Sequence, residues 1–318
     1  MTSVMASVFK TVVMDWPPPK YHEQTPNLPF LAGMIAIHLI VAFAIFRFIN
    51  NGFYNLTASA ATMGSVWALG GFGIAFYYHR MLTHEGFKSW FWLRCLLGAC
   101  ASLLNQGKPA WWAALHFAHH SYSDREGDPH TPNNGFLWAH CITYIFKYED
   151  PYFEARLKKY REDPAVRWQE KYYIIFATMP FTIPPTVGFF LGGWPLAIEM
   201  TLASVVGLAA GLHLTWSINS WDHIGKLPPF IRWLEKTPVI NFFIGQKTRE
   251  ITPGDRSRNN KFLSTFTFGK GNHEDHHADP QAAYHSGNWD INKWVVLALE
   301  RLGIIWDVKH PKPTSTKN

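Results

Sequence analysis

The stretch LTASAATMGSVWALGGFGIAFYYHRMLTH, residues 56–84, decides how the rest of the chain is read. From residue 49 to residue 79 there is not one charged side chain, and a helix needs about 20 apolar residues to cross the hydrocarbon core of a bilayer. Residues 56–78 therefore form a span, and His79 and His84 stand where it meets water. Three more stretches qualify in the same way: 28–46, 172–192 and 195–221. Over the full 318 residues only 16% are charged, against about 25% in an average soluble domain. The third span carries Pro180, Pro184 and Pro185, which remove backbone donors, so a kinked but unbroken helix is expected there. The runs 90–104, interrupted by Arg94, and 135–146 are too short to cross and are expected at the membrane interface.

The loops 50–55 and 193–194 hold no Lys or Arg, whereas 79–171 holds twelve and 222–318 fourteen. Basic residues stay on the cytoplasmic side, so both large polar segments and both termini are expected in the cytoplasm, with Arg47 snorkelling from the far end of the first span. The expected fold is an all-α integral membrane protein. Four transmembrane helices would carry a cytosolic helical cap, 79–171 and 222–318, in a single domain over 1–318. The formal charge of +6 then follows from orientation and contact with anionic lipid, and no nucleic-acid partner is needed. Residues 1–27 contain no apolar core long enough for a cleaved signal peptide. Cys95, Cys100 and Cys141 lack the spacing of a zinc or iron–sulfur site and are read as packing residues.

Sixteen histidines are the unusual feature. His116-Phe-Ala-His119-His120 and His273-Glu-Asp-His276-His277 each place three imidazoles at i, i+3 and i+4, on one helix face. Three rings on one face can converge on a metal. His79 and His84 are five apart, about 140° around an α-helix, which points them toward two different ions. Asn219 and His223 form a further i, i+4 pair at the cytoplasmic end of the last span. Nine histidines and one asparagine could fill two five- or six-coordinate ions, and imidazole suits iron, copper, nickel or zinc. His22, His38, His130, His140, His213, His285 and His310, by contrast, are read as structural.

HRMLTH, HFAHH and HEDHH, spaced along a four-span chain with NSWDH before the last, resemble the membrane-bound fatty acid desaturases of the Δ9 acyl-CoA or acyl-lipid group. The likeness covers roughly 56–302 and includes Asp128-Pro129-His130 and Gly269-Lys270-Gly271. It implies a mushroom-shaped helical fold and a centre of two Fe²⁺ ions held by His79, His84, His116, His119, His120, His223, His273, His276 and His277. Asn219 would touch one iron through water. It also implies an O₂-dependent cis desaturation, Δ9 in this group, with electrons from a separate ferredoxin or cytochrome b5. The setting would be a bacterial inner membrane ahead of endoplasmic reticulum. One departure concerns the acyl carrier. Animal acyl-CoA members have Arg-Asp directly before the second box, where this chain has Ala114-Leu115, so CoA esters and acyl lipids both stay open.

A hydroxylase of the same histidine-box superfamily would share these residues. A metal transporter would need its polar groups at the bilayer midplane, not at one surface. Trp67 lies twelve residues from His79, about 18 Å along a helix, which is about the depth reached by the methyl end of a C16 or C18 chain. If its indole faces inward, Trp67 sets the tunnel floor.

Overall fold

A computed structural model of the chain describes residues 18–225, 233, 236–285 and 290–312; both chain termini lie outside the described residues. The first helix, α1 (Leu28–Asn51), opens where the Asn27 side chain accepts the Phe30 N–H at 3.1 Å, and it ends at Gly52 with φ +67°. Short polar caps of this kind satisfy amide groups that the first helical turn leaves without partners. Helix α2 (Leu56–Phe72) is capped by Asn55 and runs without interruption into a π-helical segment, Gly73–Thr83. Phe91–Ser102 forms α3, the short apolar run expected at the interface. Its Arg94 binds Asp163 through two bonds of 2.7 and 2.8 Å, so the charge that interrupts this run ties α3 to the start of a later helix. Helices α4 (Pro109–Tyr122), α5 (Phe136–His140) and α6 (Pro151–Tyr160) follow in the cap.

The helical run α7 (Pro164–Ser220) passes Pro180, Pro184 and Pro185 in helical geometry and breaks instead at Gly192 and Gly193, the latter at φ +68°. A straight helix would put Ser204 about 36 Å from Pro180. The Ser204 hydroxyl in fact donates to the Pro180 carbonyl at 2.6 Å. The run is therefore two antiparallel limbs, folded back at a glycine pair that tolerates left-handed backbone. A Cβ on Gly188 would lie 2.7 Å from Ala197 Cα, which is how closely the limbs pack. Among the described residues, three helices are long and apolar enough to cross a membrane: Leu28–Asn51, Leu56–Thr83 and Pro164–His223. The last of these contains both limbs.

Glu199, buried at the start of the second limb, accepts the backbone N–H groups of Tyr54 and Asn55 and the Ser59 hydroxyl at 2.5 to 2.8 Å. Its carboxylate thus sits at the positive N-terminal end of α2. Gly207 lets the two helices touch, since a Cβ there would lie 2.3 Å from the Met63 carbonyl oxygen. Fixed together at their starts, α2 and the second limb run parallel and bring His79 and His223 to the same end of the bundle.

The remaining helices described in the cap are α8 (Pro238–Ile244), α9 (Lys261–Phe266), α10 (His273–Ala278) and α11 (Ile291–Arg301). One departure from an all-α fold is a two-residue antiparallel pair, β1 (Lys88–Ser89) with β2 (Ile305–Trp306), which fastens the chain after the first histidine pair to the C-terminal part of the cap.

Candidate metal centre

Four elements converge at this end of the bundle: the π-helical segment, α4, the end of α7 and α10. Nε2 of His79 faces Nε2 of His276 at 3.0 Å, and that nitrogen faces Nε2 of His120 at 2.9 Å, which in turn faces His116 at 3.1 Å. His84 completes this group, its ligand atom within 4.8 Å of those of His79, His116 and His276. A second group comprises His119, His223, His273 and His277. There the Nε2 separations are 2.8 Å for His223–His273, 3.2 Å for His273–His277 and 3.3 Å for His119–His277. Two imidazole nitrogens bound about 2.1 Å from one ion at a right angle lie about 3.0 Å apart. Nitrogens facing one another at these separations cannot all be paired by N–H donors, whereas a cation between them uses every lone pair. The nine histidines therefore lie in two clusters, of five and four, whose facing nitrogens suit metal ions.

The placement of His84 differs from the α-helical expectation, and the cause is the type of helix. The His84 N–H bonds to the His79 carbonyl, an i→i+5 contact at 3.2 Å. In a π-helix such residues stack one turn apart, so His79 and His84 share a face and a cluster, with ring centroids 5.1 Å apart. Their five-residue spacing does not send them to separate ions.

Burial favours the neutral form that metal binding requires in six of these histidines outside the spans, whereas at His223 burial is outweighed by Asp124, which raises it. Burial pushes His84 down to about 3 and His277 to about 4, and it lowers His116, His120, His273 and His276 well below the ordinary range. Three carboxylates were not foreseen as part of the site. Asp128 accepts from His119 Nδ1 at 3.0 Å, Asp124 from His223 Nδ1 at 2.7 Å, and Asp255 from His277 Nδ1 at 2.7 Å. Burial alone would raise Asp128 and Asp255, but the adjoining imidazoles His119 and His277 hold them well below the usual carboxylate range. Asp124 and Asp128 follow the second box closely and were legible in principle. Asp255 is far from its partner in sequence and carried no local signal.

Asn219 sits one turn before His223, its amide nitrogen 2.5 Å from the Tyr144 hydroxyl. Of the histidines read as structural, His38, His213 and His140 are linked in a chain of 3.0 Å contacts that begins with His38 Nδ1 donating to the Met34 carbonyl. His130 lies instead against His119 and Asp128.

A cavity of about 720 Å³, within the usual range for ligand sites, is lined by Phe30, Met34, Ile37, Trp111, Trp112 and Trp216, among others. Trp112 is 5.2 Å from the His116 ring, and Tyr144, also in the lining, is the partner of Asn219. The cavity thus abuts the five-histidine cluster and reaches Asn219, one turn before His223. Trp67 is not among its lining residues. The half-buried indole of Trp67 donates to the Phe266 carbonyl at 3.2 Å and packs against Phe268 at 5.4 Å.

Residues 56–286 match the family model described as fatty acid desaturase. The chain is 31% identical over 273 residues to an sn-1 stearoyl-lipid 9-desaturase of Anabaena variabilis, covering 84% of this chain and 89% of that protein. It is 34% identical over 251 residues to Delta-9 acyl-lipid desaturase 2 of Arabidopsis thaliana, covering 77% and 73%. An acyl-CoA C20 Delta5-desaturase of Anemone leveillei is 28% identical over 291 residues, covering 90% and 81%. With its histidine clusters at the end of an apolar bundle, the chain belongs to the membrane fatty acid desaturases, oxidoreductases of lipid metabolism.

Proposed function

We propose that this desaturase places a cis double bond at the Δ9 position of a saturated acyl chain carried on a lipid, using two irons held by the nine histidines. The observation that carries this reading is the apolar cavity whose inner wall adjoins the five-histidine cluster at Trp112 and, at Tyr144, meets Asn219 one turn before His223. An acyl chain lying there would have its methylenes beside both ions. Two relatives act on acyl lipids at carbon 9, which favours that carrier and position over the acyl-CoA Delta5 chemistry of the third. Exposed residues of α1, Gly33, Ala36 and Ile40, line the cavity, which suits a chain entering sideways from the bilayer.

The overall change is CH₂–CH₂ + O₂ + 2 e⁻ + 2 H⁺ → CH=CH + 2 H₂O. The irons would supply the oxidising power needed to remove hydrogen from an unactivated methylene. The protein's part is to hold nine imidazoles convergent, and to keep water from the reacting carbons with Trp111, Trp112 and Trp216. Asn219, oriented by Tyr144, would position a water on the four-histidine ion. The two electrons would come from a separate ferredoxin or cytochrome b5. We further read the two limbs of α7 as separate crossings, which gives four spans in a single domain. Both termini and the cap then lie in the cytoplasm, in a bacterial inner membrane. Trp67, held by Phe266 and Phe268, does not line this cavity, so a role for it as a limit on chain length requires the acyl tail to run beyond the cavity to that wall.

Expression in a host lacking its own desaturase tests the proposal, with fatty acids analysed by mass spectrometry that locates double bonds. New Δ9 monoenes in membrane lipid are expected. Monoenes at another position would overturn the regiochemistry, and hydroxy acids without alkenes would assign the chain to the hydroxylases.

A further inference from the structure

The two clusters are supported differently. In the four-histidine cluster, three of the imidazoles that offer Nε2 have their other nitrogen on a carboxylate: His119 on Asp128, His223 on Asp124 and His277 on Asp255. Each carboxylate is itself held in place. Asp128 accepts the backbone N–H groups of Asp124 and His130, Asp124 accepts that of Arg256 and the Thr131 hydroxyl, and Asp255 accepts the hydroxyls of Ser123 and Ser257. All three are buried. In the five-histidine cluster no imidazole has a carboxylate partner among the described residues; Nδ1 of both His79 and His276 is buried without a hydrogen-bond partner, as is that of His273, the fourth imidazole of the other cluster. The residue next to His79 is a buried cation, Arg80, whose charge is taken up by Asp290.

A carboxylate behind a ligating imidazole draws the Nδ1 proton toward itself, fixes the ring and makes Nε2 a stronger donor. Three of them place negative charge around one ion and not the other. From this asymmetry we propose that Asp124, Asp128 and Asp255 compensate for the missing fifth imidazole. They make the two irons inequivalent, with the greater positive charge resting at the His119/His223/His273/His277 position when the pair is partly oxidised. The inference rests on the two-iron reading above and adds three positioning residues to it, none of which touches the metal.

The test is ⁵⁷Fe Mössbauer spectroscopy, with iron content by mass spectrometry, on the full-length protein purified in detergent. The wild type should hold two irons per chain and, when reduced, show two quadrupole doublets of equal area. Asp255→Asn removes the charge while keeping the shape. It should alter or deplete one doublet only, leave the other at its wild-type parameters, and weaken one ion about 10- to 100-fold in competition with a chelator. Asp124→Asn, acting through a different histidine, should change the same doublet, and it serves if Asp255→Asn fails to elute as a monodisperse species. Equal change in both doublets, or no change in either with both variants, would overturn the inference while leaving the desaturase reading intact. A wild type that does not load two irons would overturn both.

Discussion

Asp290→Ala should be among the most damaging single substitutions outside the histidines. The Arg80 guanidinium lies 2.8 Å from the Asp290 carboxylate, and both side chains are at most 1% exposed. Removing the acid strands a buried cation, which costs about 3–5 kcal/mol. Asp290 also caps α11, accepting the Asn292 N–H at 3.0 Å, and it receives the His285 N–H at 2.8 Å. Loss of a cap adds about 1 kcal/mol. At roughly 2 °C per kcal/mol for a protein of this size, the melting temperature should fall by about 10 °C, read as loss of the monodisperse gel-filtration peak after heating in detergent. Because Arg80 follows His79 in the π-helical segment, bound iron should fall as well. The double variant Arg80→Met/Asp290→Ala removes the stranded charge and should recover at least about 2 kcal/mol relative to the sum of the single variants. The reasoning is refuted if Asp290→Ala melts within about 2 °C of wild type, or if the double variant is as unstable as that sum.

His276→Ala should abolish desaturation and lower bound iron while the protein stays in the membrane; full activity would remove it from the ligand set. Lys270 is buried beside Thr215, to which it donates at 3.0 Å, and burial pushes it down to about 7 from 10.5. Because the folded value is the lower one, the cost of the charge is absent above pH 10.5, grows as pH falls toward 7 and is constant below that. Lys270→Met should therefore gain stability over wild type at pH 7, with an upper limit on the order of 4 kcal/mol, and that advantage should shrink toward pH 10; a gain independent of pH would count against it. Trp67→Ala should shift products toward longer acyl chains with iron retained, and an unchanged profile rules out its role as a stop.

The bundle was legible because a lipid-facing helix must be apolar for its whole length. Three of the four expected spans therefore show as uncharged runs and the fourth holds only Glu199; the turn expected at 193–194 falls one residue earlier, at Gly192-Gly193. The HxxHH boxes were legible for the same reason of period. His79 and His84 were misjudged because an angle per residue presupposes the helix type, and nothing local distinguishes an α-helix from the π-helical winding that begins at Gly73. Gly73 itself marks the tight spot: a Cβ there would lie 2.4 Å from the Ala101 amide nitrogen. Glu199 reads in sequence as a misplaced charge inside a span, and its purpose appears only once the N-terminus of α2 is seen against it. Asp255 finds His277 only through the folding of the cap.

Helix α1 has one fully buried residue, Ala44, yet it supplies a wall of the cavity. At Gly33 that wall is notched, with nothing within 4 Å of where a Cβ would stand. The cavity is therefore bounded on one side by the tryptophans of α4 and α7 and on the other by a helix most of whose side chains face outward. On the proposed reading, shape selection at the reacting carbons would fall to the tryptophan side. The room left for the rest of the acyl chain would be shared with the surrounding bilayer, whose lateral pressure would then become part of the specificity.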